Sequence, residues 1–139
     1  MNDQDLIDAL NANAPGFIRL LGGRTVAIDL EARSCTFEFD VSTDFCHSVD
    51  VVQGGFITAM LDAAMSHAVF AVTYDNLARP SSLEIKTSYL EPTRAGRLTA
   101  VGSVVKLGHK TAFLEGRLFT SEGLLTATAS SVAKLVRAS

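Results

Sequence analysis

Residues 53–72 (QGGFITAMLDAAMSHAVFAV) limit the possible folds more than any other stretch, because they predict one long helix that is apolar on nearly every side. A helix of this kind is stable only when other elements bury it. Its one acid, Asp62, lies about two turns after the pair Gly54 and Gly55. Keeping a carboxylate charged in apolar surroundings costs free energy unless it has a partner. The presence of Asp62 in this helix therefore calls for a structural or a chemical explanation.

Alternation of apolar and polar residues predicts strands on both sides of this helix. In chain order the predicted strands are residues 24–30, 35–41, 82–90, 98–107, 111–120 and 124–136. The first of them places Val26, Ile28 and Leu30 on one face.

The remaining segments are shorter. Residues 3–13 predict an amphipathic helix, 17–21 a short turn, 44–52 a loop and 74–80 a connection. The order of elements predicts an antiparallel sheet wrapped around a long central helix, which is an α+β fold. Such a sheet leaves open edges that a second copy can cover, so we expect a homodimer.

The length and the charge restrict the possible functions. With 139 residues, 47% of them hydrophobic, we expect a single domain over residues 1–139. A net charge of −3 without any Lys/Arg run argues against nucleic acid or an anionic membrane as partner. Because Asp62 and His67 interrupt the apolar helix, no membrane span is expected. Acids at three of the first eight positions argue against a secretory leader, and Cys35 and Cys46 are expected to be free thiols in the cytoplasm.

Two features of the helix are candidates for a site. Thr58, Asp62 and Ser66 recur every four residues and form one polar stripe, which either faces solvent or a neighbouring loop, or belongs to a site. Gly54 and Gly55 leave the first N–H groups of the helix open to an anion or a carbonyl oxygen, as in an oxyanion hole. The same pair of glycines also fits a tight, closely packed turn.

His67 is five residues after Asp62, a spacing that resembles that of enoyl-thioester hydratases. In a continuous helix these two side chains point about 140° apart, so they are not expected to share a site. We therefore interpret His67 as packed in the core or facing a partner. His47 and Asp75 are too isolated to predict a metal site, and none is expected.

Three segments, VVQGGFITAMLDAAMSHAV, SSLEIKTSYLEP and GHKTAFLEGRL, resemble the hot-dog-fold acyl-CoA thioesterases of the phenylacetate-degradation type, the PaaI-like group. The most specific mark of that family is His-Gly-Gly with an acid nine residues after the His. Gln53 and Asp62 have this spacing here, and Gly54 and Gly55 match the glycines. The resemblance implies a hot-dog fold and hydrolysis of a medium-chain or aryl acyl-CoA to the free acid and CoA. It implies no cofactor, because coenzyme A is part of the substrate.

The resemblance also implies roles for individual residues. Asp62 would be the general base on water or the nucleophile on the thioester carbonyl, which the N–H of Gly54, helped by Gly55, would polarise. In the family these groups come from different subunits, so homodimers share their active sites and a dimer of dimers is expected. The second subunit and the substrate would then complete the surroundings of Asp62. Ser82 matches a position that places the attacking water, and Ser66 would support the substrate or the carboxylate.

The chain departs from the family pattern in three places. Gln53 replaces the motif His, His47 replaces an Asn, and Asp50 replaces a Gly. Gln53 can still donate a neutral hydrogen bond toward the thioester, although it cannot titrate. These changes leave open a second hypothesis, a non-catalytic hot-dog protein that binds acyl-CoA.

Substrate binding needs local cations and an apolar pocket. The candidates for the phosphates of CoA are Arg94, Arg97, Lys106, His109 and Lys110, and His47 is a further candidate for substrate contact. The candidates for the acyl pocket are Phe56, Met60, Met65 and the loop around Phe45.

Overall fold

The computed structural model describes residues 1–137. The helices are α1 (Asp3–Ala12), α2 (Gly16–Leu20) and α3 (Gly54–Val72). The strands are β1 (Gly23–Asp29), β2 (Ser34–Val41), β3 (Cys46–Ser48), β4 (Val51–Val52), β5 (Ala78–Tyr89), β6 (Gly96–Leu107), β7 (Thr111–Thr120) and β8 (Leu125–Arg137). Single turns of 3₁₀ helix lie at Thr43–Phe45 and Tyr74–Asn76.

The main sheet is antiparallel, and its order in the described residues is β1-β2-β6-β7-β8-β5. The central helix α3 packs against the inner face of this sheet, from β2 across to β5. This is the hot-dog arrangement that the resemblance implies, so the predicted α+β architecture is confirmed.

The buried face of α3 lies directly on the backbone of the sheet. Met60, Leu61, Ala64 and Met65 are completely buried. A Cβ at Gly102 of β6 would collide with the carbonyl group of Ala64, so only glycine fits beneath the helix at this position. The close approach explains why the helix is rich in alanine on this side and why the core tolerates little change in volume.

The N-terminal helix begins with a capping box. The side chain of Asn2 accepts a hydrogen bond from the N–H of Asp5 at 2.8 Å, and the Asp5 carboxylate accepts one from the N–H of Asn2 at 3.3 Å. The helix buries Leu6 and Leu10 and ends one residue before the predicted position. It therefore closes one end of the core, near the C-terminal half of α3.

The predicted inner face of β1 was wrong in part. The structure buries Thr25 and Ile28, whereas Leu30 lies after the strand and is 47% exposed. A register shift between Thr25 and Ala27 breaks the alternation, so the pattern Val26, Ile28, Leu30 does not stay on one face. The alternation predicted for β2 is confirmed, because Cys35, Phe37, Phe39 and Val41 are all buried.

Two connecting segments contain more structure than was predicted. The stretch 44–52 holds the two-stranded β3–β4 ladder. Strand β5 begins at Ala78, four residues before the predicted start, and includes Pro80. Proline is tolerated there because β5 is the last strand at its edge of the described sheet, where a strand can lack one N–H.

By length and composition alone, α3 is long and apolar enough to cross a membrane. In this fold it is the central helix, and most of its apolar residues are buried against the sheet. Its apolar composition is therefore accounted for by burial in the core.

Candidate active site

Asp62 and Ser82 form the centre of the candidate site. The half-buried Asp62 of α3 accepts a hydrogen bond of 2.9 Å at Oδ1 from the hydroxyl of Ser82, an exposed residue of β5. The two residues are 20 positions apart in the chain and meet because β5 runs beside the helix. Asp62 therefore has a partner within its own subunit, which corrects the expectation that only the second subunit and the substrate complete its surroundings.

The polar stripe on α3 lies against β5. The hydroxyl of Thr58 is 2.8 Å from that of Thr87 and 3.0 Å from that of Tyr89, one turn before the Asp62–Ser82 pair. The stripe thus neither faces open solvent nor serves a loop. Ser66, the third member, is half buried, one turn beyond Asp62 toward the C-terminal end of the helix.

The start of α3 presents one open backbone donor. Gln53 is the N-cap, and its side-chain Oε1 accepts a hydrogen bond from the N–H of Gly55 at 2.7 Å. Within residues 1–137, the N–H of Gly54 has no hydrogen-bond acceptor. Of the two predicted backbone donors, Gly54 is therefore available, whereas Gly55 is occupied. Because its oxygen is turned toward the helix, the Gln53 amide nitrogen points away and remains a donor.

Tyr89 is a neighbour of this helix start that the sequence did not single out. Its hydroxyl donates to the carbonyl oxygen of Gly54 at 2.9 Å. A Cβ at Gly54 would lie 3.0 Å from the Tyr89 ring and hydroxyl, so the glycine also makes room for this contact. The alternation of residues 82–90 put Thr87 and Tyr89 on one face, but the position at which β5 crosses the helix could not be inferred from it.

A cleft of about 550 Å³ opens at the helix start. His47 of β3, Gln53, Gly54, Gly55 and Tyr89 all line it. His47 is exposed, so the structure brings this predicted substrate contact together with the predicted carbonyl-polarising groups. Asp62 lies farther along the helix, and neither it nor Ser82 of β5 lines the cleft.

Four of the five candidate cations lie in three places, and the fifth, Lys106, is exposed near the end of β6. Arg94 pairs with Asp50 at 2.7 Å beside β4, close to the cleft. Arg97 is held by Asp40 at 2.7 Å and by Glu38 at 3.3 Å, and its guanidinium lowers the pKa of Asp40. Arg97 is thus part of an ion-pair network along the sheet, which makes it a poor candidate for a phosphate ligand.

His109 and Lys110 lie in the turn between β6 and β7, at the opposite end of β6 from Arg94. They line a pocket of about 560 Å³ together with Lys134 and Arg137, two cations that the sequence did not single out. Arg137 donates through Nε to the carbonyl oxygen of His109 at 3.0 Å, which fixes the turn. Within one subunit, this group and Arg94 are therefore not close together.

His67 is packed in the core, as one of its two interpretations predicted. It is 4% exposed, its Nδ1 is 2.9 Å from the carbonyl oxygen of Ala63, and its ring meets Phe37 and Phe70 edge-on. Burial lowers the pKa of His67. Its ring packs against Phe37 of β2, whereas Asp62 bonds to Ser82 of β5, so the two side chains have different partners, as the helix geometry predicted.

The predicted acyl-pocket residues do not form an open pocket. Met60 and Met65 are completely buried against the sheet, so a ligand cannot reach them without repacking of the core. Phe56 packs edge-on against Phe45 with ring centroids 4.9 Å apart. Among residues 1–137, no group of three or more His, Cys, Asp or Glu side chains could hold a metal ion.

The family assignment follows from comparison with known proteins. Residues 50–127, more than half of the chain, match the thioesterase superfamily. The chain belongs to this superfamily. The matched segment includes Gly54, Asp62 and Ser82.

Solved structures of similar proteins agree with this assignment. A thioesterase from Ralstonia eutropha JMP134, described as phenylacetic acid degradation-related, has 32% sequence identity and a TM-score of 0.82, covering 93% of this chain and 98% of that one. The PaaI protein of the E. coli phenylacetic acid degradation operon has 16% identity and a TM-score of 0.82, with coverage of 96% and 92%. The second likeness shows the fold alone, and the first supports the PaaI-like resemblance.

A curated relative is longer than this chain. An uncharacterized protein of Schizosaccharomyces pombe is 30% identical over 98 residues, which are 70% of this chain and 51% of that protein. The chain therefore spans about half the length of the curated relative that it matches.

Proposed function

We propose that this thioesterase hydrolyses acyl-CoA with a medium-chain or aryl acyl group, giving the free acid and CoA. The observation that carries the proposal is the hydrogen bond between Ser82 and Asp62, 2.9 Å long, which holds a half-buried carboxylate on the central helix. The description of the Ralstonia relative as phenylacetic acid degradation-related favours an aryl group. The chain's two cysteines are free, which fits the cytoplasm as the compartment.

Asp62 supplies the basic group of the reaction. As general base it takes a proton from water while the water oxygen attacks the thioester carbonyl. The C–S bond then breaks, and the CoA thiolate leaves and takes up a proton. As nucleophile, the carboxylate itself attacks, and water cleaves the resulting anhydride. In both routes the hydroxyl of Ser82 orients the carboxylate, and Ser66, one turn away, can contact the substrate. No cofactor beyond the CoA of the substrate takes part.

The start of α3 stabilises the oxyanion. The open N–H of Gly54 and the amide nitrogen of Gln53 are both available as donors to a carbonyl oxygen in the cleft. Gly55 contributes by holding the Gln53 amide in this orientation. His47 in the same cleft lies within reach of the pantetheine arm or the acyl group.

A matched pair of variants isolates the Gly54 donor. Gly54→Pro removes the N–H, and the extended conformation of Gln53 (φ −66°, ψ 138°) suits a residue before proline. Gly54→Ala adds the same Cβ beside Tyr89 but keeps the N–H. We expect the proline variant to lose about 100-fold more kcat than the alanine variant. Equal losses would mean that the N–H has no role.

The two halves of the site come from different subunits of a homodimer. Gly54 and Asp62 are eight residues apart on one helix, or about 12 Å along its axis, so one carbonyl cannot contact both within a subunit. The edge strand β5 carries Leu83, 64% exposed, and offers its free side to a second copy. We expect such dimers to pair further into a dimer of dimers.

Subunit mixing tests the shared site. A heterodimer of Gly54→Pro and Asp62→Asn subunits would contain one doubly damaged site and one intact site. Mixing two inactive homodimers should therefore restore about a quarter of wild-type activity. If each site lay within one subunit, mixing would restore nothing.

The phosphates of CoA require local cations in a chain with a net charge of −3. Arg94 lies beside the cleft but is paired with Asp50, so a phosphate would have to compete with that carboxylate. His109 and Lys110 form the second candidate group, strengthened by Lys134 and Arg137 at the same pocket. Charge reversal at each group, with the KM for CoA esters as readout, distinguishes the two.

A non-catalytic acyl-CoA-binding protein is the second candidate function. The observation that favours it is the bond from Gly55 to Gln53, which removes one backbone donor from the cleft. An acyl-CoA panel, with release of CoA followed by a thiol reagent, tests both candidates. We expect hydrolysis that Asp62→Asn reduces by about 100-fold or more. Acyl-CoA that raises the melting temperature without being consumed would favour binding alone.

A further inference from the structure

A cavity of about 840 Å³ lies beside the C-terminal half of α3. Part of its wall is apolar, from Leu10 of α1, Phe70 of α3, Leu77 and Pro80. The rest is polar, from His67 and from Asn13, Tyr74 and Arg79. None of these residues belongs to the cleft at the helix start. The cavity is therefore a second concave site on the same helix.

His67 presents a hydrogen-bond acceptor to this cavity. Its Nδ1 lies 2.9 Å from the carbonyl oxygen of Ala63, and because a carbonyl can only accept, Nδ1 carries the proton. Burial lowers the pKa of His67, so the ring is neutral and Nε2 is an acceptor. Within the described residues every fully buried side-chain nitrogen or oxygen has a partner. Among residues 1–137 Nε2 has no such partner, and His67 lines the cavity, so Nε2 is the ring atom left open to the cavity.

Two elements connect the cavity with the Asp62–Ser82 pair. On α3, Ser66 and Phe70 follow Asp62 at intervals of four residues, so the polar stripe leads to the cavity wall. On β5, Pro80 of the wall is two residues before Ser82 and on the same side of the strand. The cavity therefore adjoins the carboxylate along both the helix and the strand.

We propose that this cavity receives the far end of the acyl group and that His67 Nε2 accepts a hydrogen bond from an O–H or N–H donor on it. The proposal rests on the proposed acyl-CoA hydrolysis. It makes His67 a specificity-determining residue that favours acyl groups with a donor at their distal end.

The chemistry of the walls explains the preference. A plain acyl group buries its apolar surface in the cavity but leaves Nε2 without a partner, and an unsatisfied buried acceptor is costly. A distal hydroxyl satisfies it, and a site built to bond a hydroxyl discriminates more strongly than an apolar site that merely tolerates one. His67 lies about 7.5 Å from Asp62 along the helix axis, within reach of a medium-chain or aryl acyl group.

Matched substrates test the proposal. The C6, C8 and C10 acyl-CoAs are each compared with the ω-hydroxy acyl-CoA of equal length, with the ratio of the two kcat/KM values as readout. We expect wild type to favour the hydroxylated partner by about tenfold or more at the best-fitting length. The ratio is taken within one enzyme preparation, so the fraction of folded protein does not affect it.

Three variants test whether the hydroxyl preference depends on Nε2 of His67. His67→Phe removes the acceptor and should bring the ratio to about one or below. His67→Gln keeps an acceptor and should retain part of the preference. Phe70→Leu alters an apolar wall without touching Nε2, so the preference for the hydroxyl should persist.

The outcomes separate the two proposals. If acyl-CoAs are hydrolysed without a hydroxyl preference at any length, or if His67→Phe keeps the preference, the role of His67 is overturned while the hydrolase function stands. If no acyl-CoA is hydrolysed, the same pairs are compared by the rise in melting temperature that they produce. A larger rise with the hydroxylated partner in wild type but not in His67→Phe supports the cavity site, and equal rises refute it.

Discussion

The hydroxyl of Tyr89 donates a hydrogen bond of 2.9 Å to the carbonyl oxygen of Gly54. The contact joins the last residue of β5 to the first residue of α3, 35 positions apart in the chain. Thr58 and Thr87 extend it by two hydroxyl contacts of 3.0 and 2.8 Å. The helix start that holds the open backbone donor is thereby fixed relative to the strand that carries Ser82.

Tyr89→Phe should lower kcat more than it changes KM. The ring still packs beside Gly54, but the helix start loses the bond that fixes it, and we expect a loss of about 3- to 10-fold. Steady-state kinetics on the best acyl-CoA measures it. Thr87→Val, which removes only the outer end of the same chain of hydroxyls, should have a smaller effect. An equal or larger effect of Thr87→Val would mean that the network, rather than the Gly54 contact, is responsible.

Ser82→Ala should reduce kcat by about tenfold, because Asp62 loses the hydrogen bond that orients it. Ser81, the exposed neighbour on the same strand, points to the other side, so Ser81→Ala is the matched control and should keep wild-type kinetics. Comparable losses in the two variants would argue that the strand, and not the Ser82 hydroxyl, matters. Urea denaturation of both variants shows whether stability accounts for any difference.

The sequence predicted the central helix almost to the residue, because hydrophobic burial on all sides leaves an unmistakable pattern. It also singled out Asp62 and Gly54 as candidates, whereas their catalytic roles and the choice of Ser82 came from the family resemblance. The contacts of Asp62 with Ser82 and of Gly54 with Tyr89 depend on where β5 crosses the helix, and no local pattern encodes that crossing. The same holds for the cavity at His67, which several distant segments build together.

Gly102→Ala should destabilise the protein by about 1–3 kcal/mol, since the added methyl group meets the backbone of Ala64. Gly116→Ala on the neighbouring strand is the matched comparison. Its methyl group would approach the side chains of Leu61 and Met65 at 3.3 and 3.4 Å, and these can shift. Urea denaturation should therefore show a smaller loss for Gly116→Ala. The reverse order would contradict the close packing of α3 on β6.

The free energy of unfolding should fall as the pH drops below about 6.5, the ordinary pKa of histidine. Burial lowers the pKa of His67 in the folded protein, so between that value and 6.5 the unfolded chain binds more protons than the folded one. The stabilisation that the protein loses in this pH range is fully present above pH 6.5. Denaturant unfolding at several pH values measures the slope. His67→Gln should flatten it, and an unchanged slope would show that other groups cause it.

The cap at the start of α3 also bears on the pH profile of catalysis. The side chain that caps Gly55 is an amide, whose charge stays zero at every pH at which the fold survives. A histidine in that position would gain a proton in mildly acidic solution and change the field on the substrate carbonyl. In this protein the charge of the capping side chain is therefore constant. The capping residue therefore contributes nothing to the acidic limb of a plot of kcat against pH.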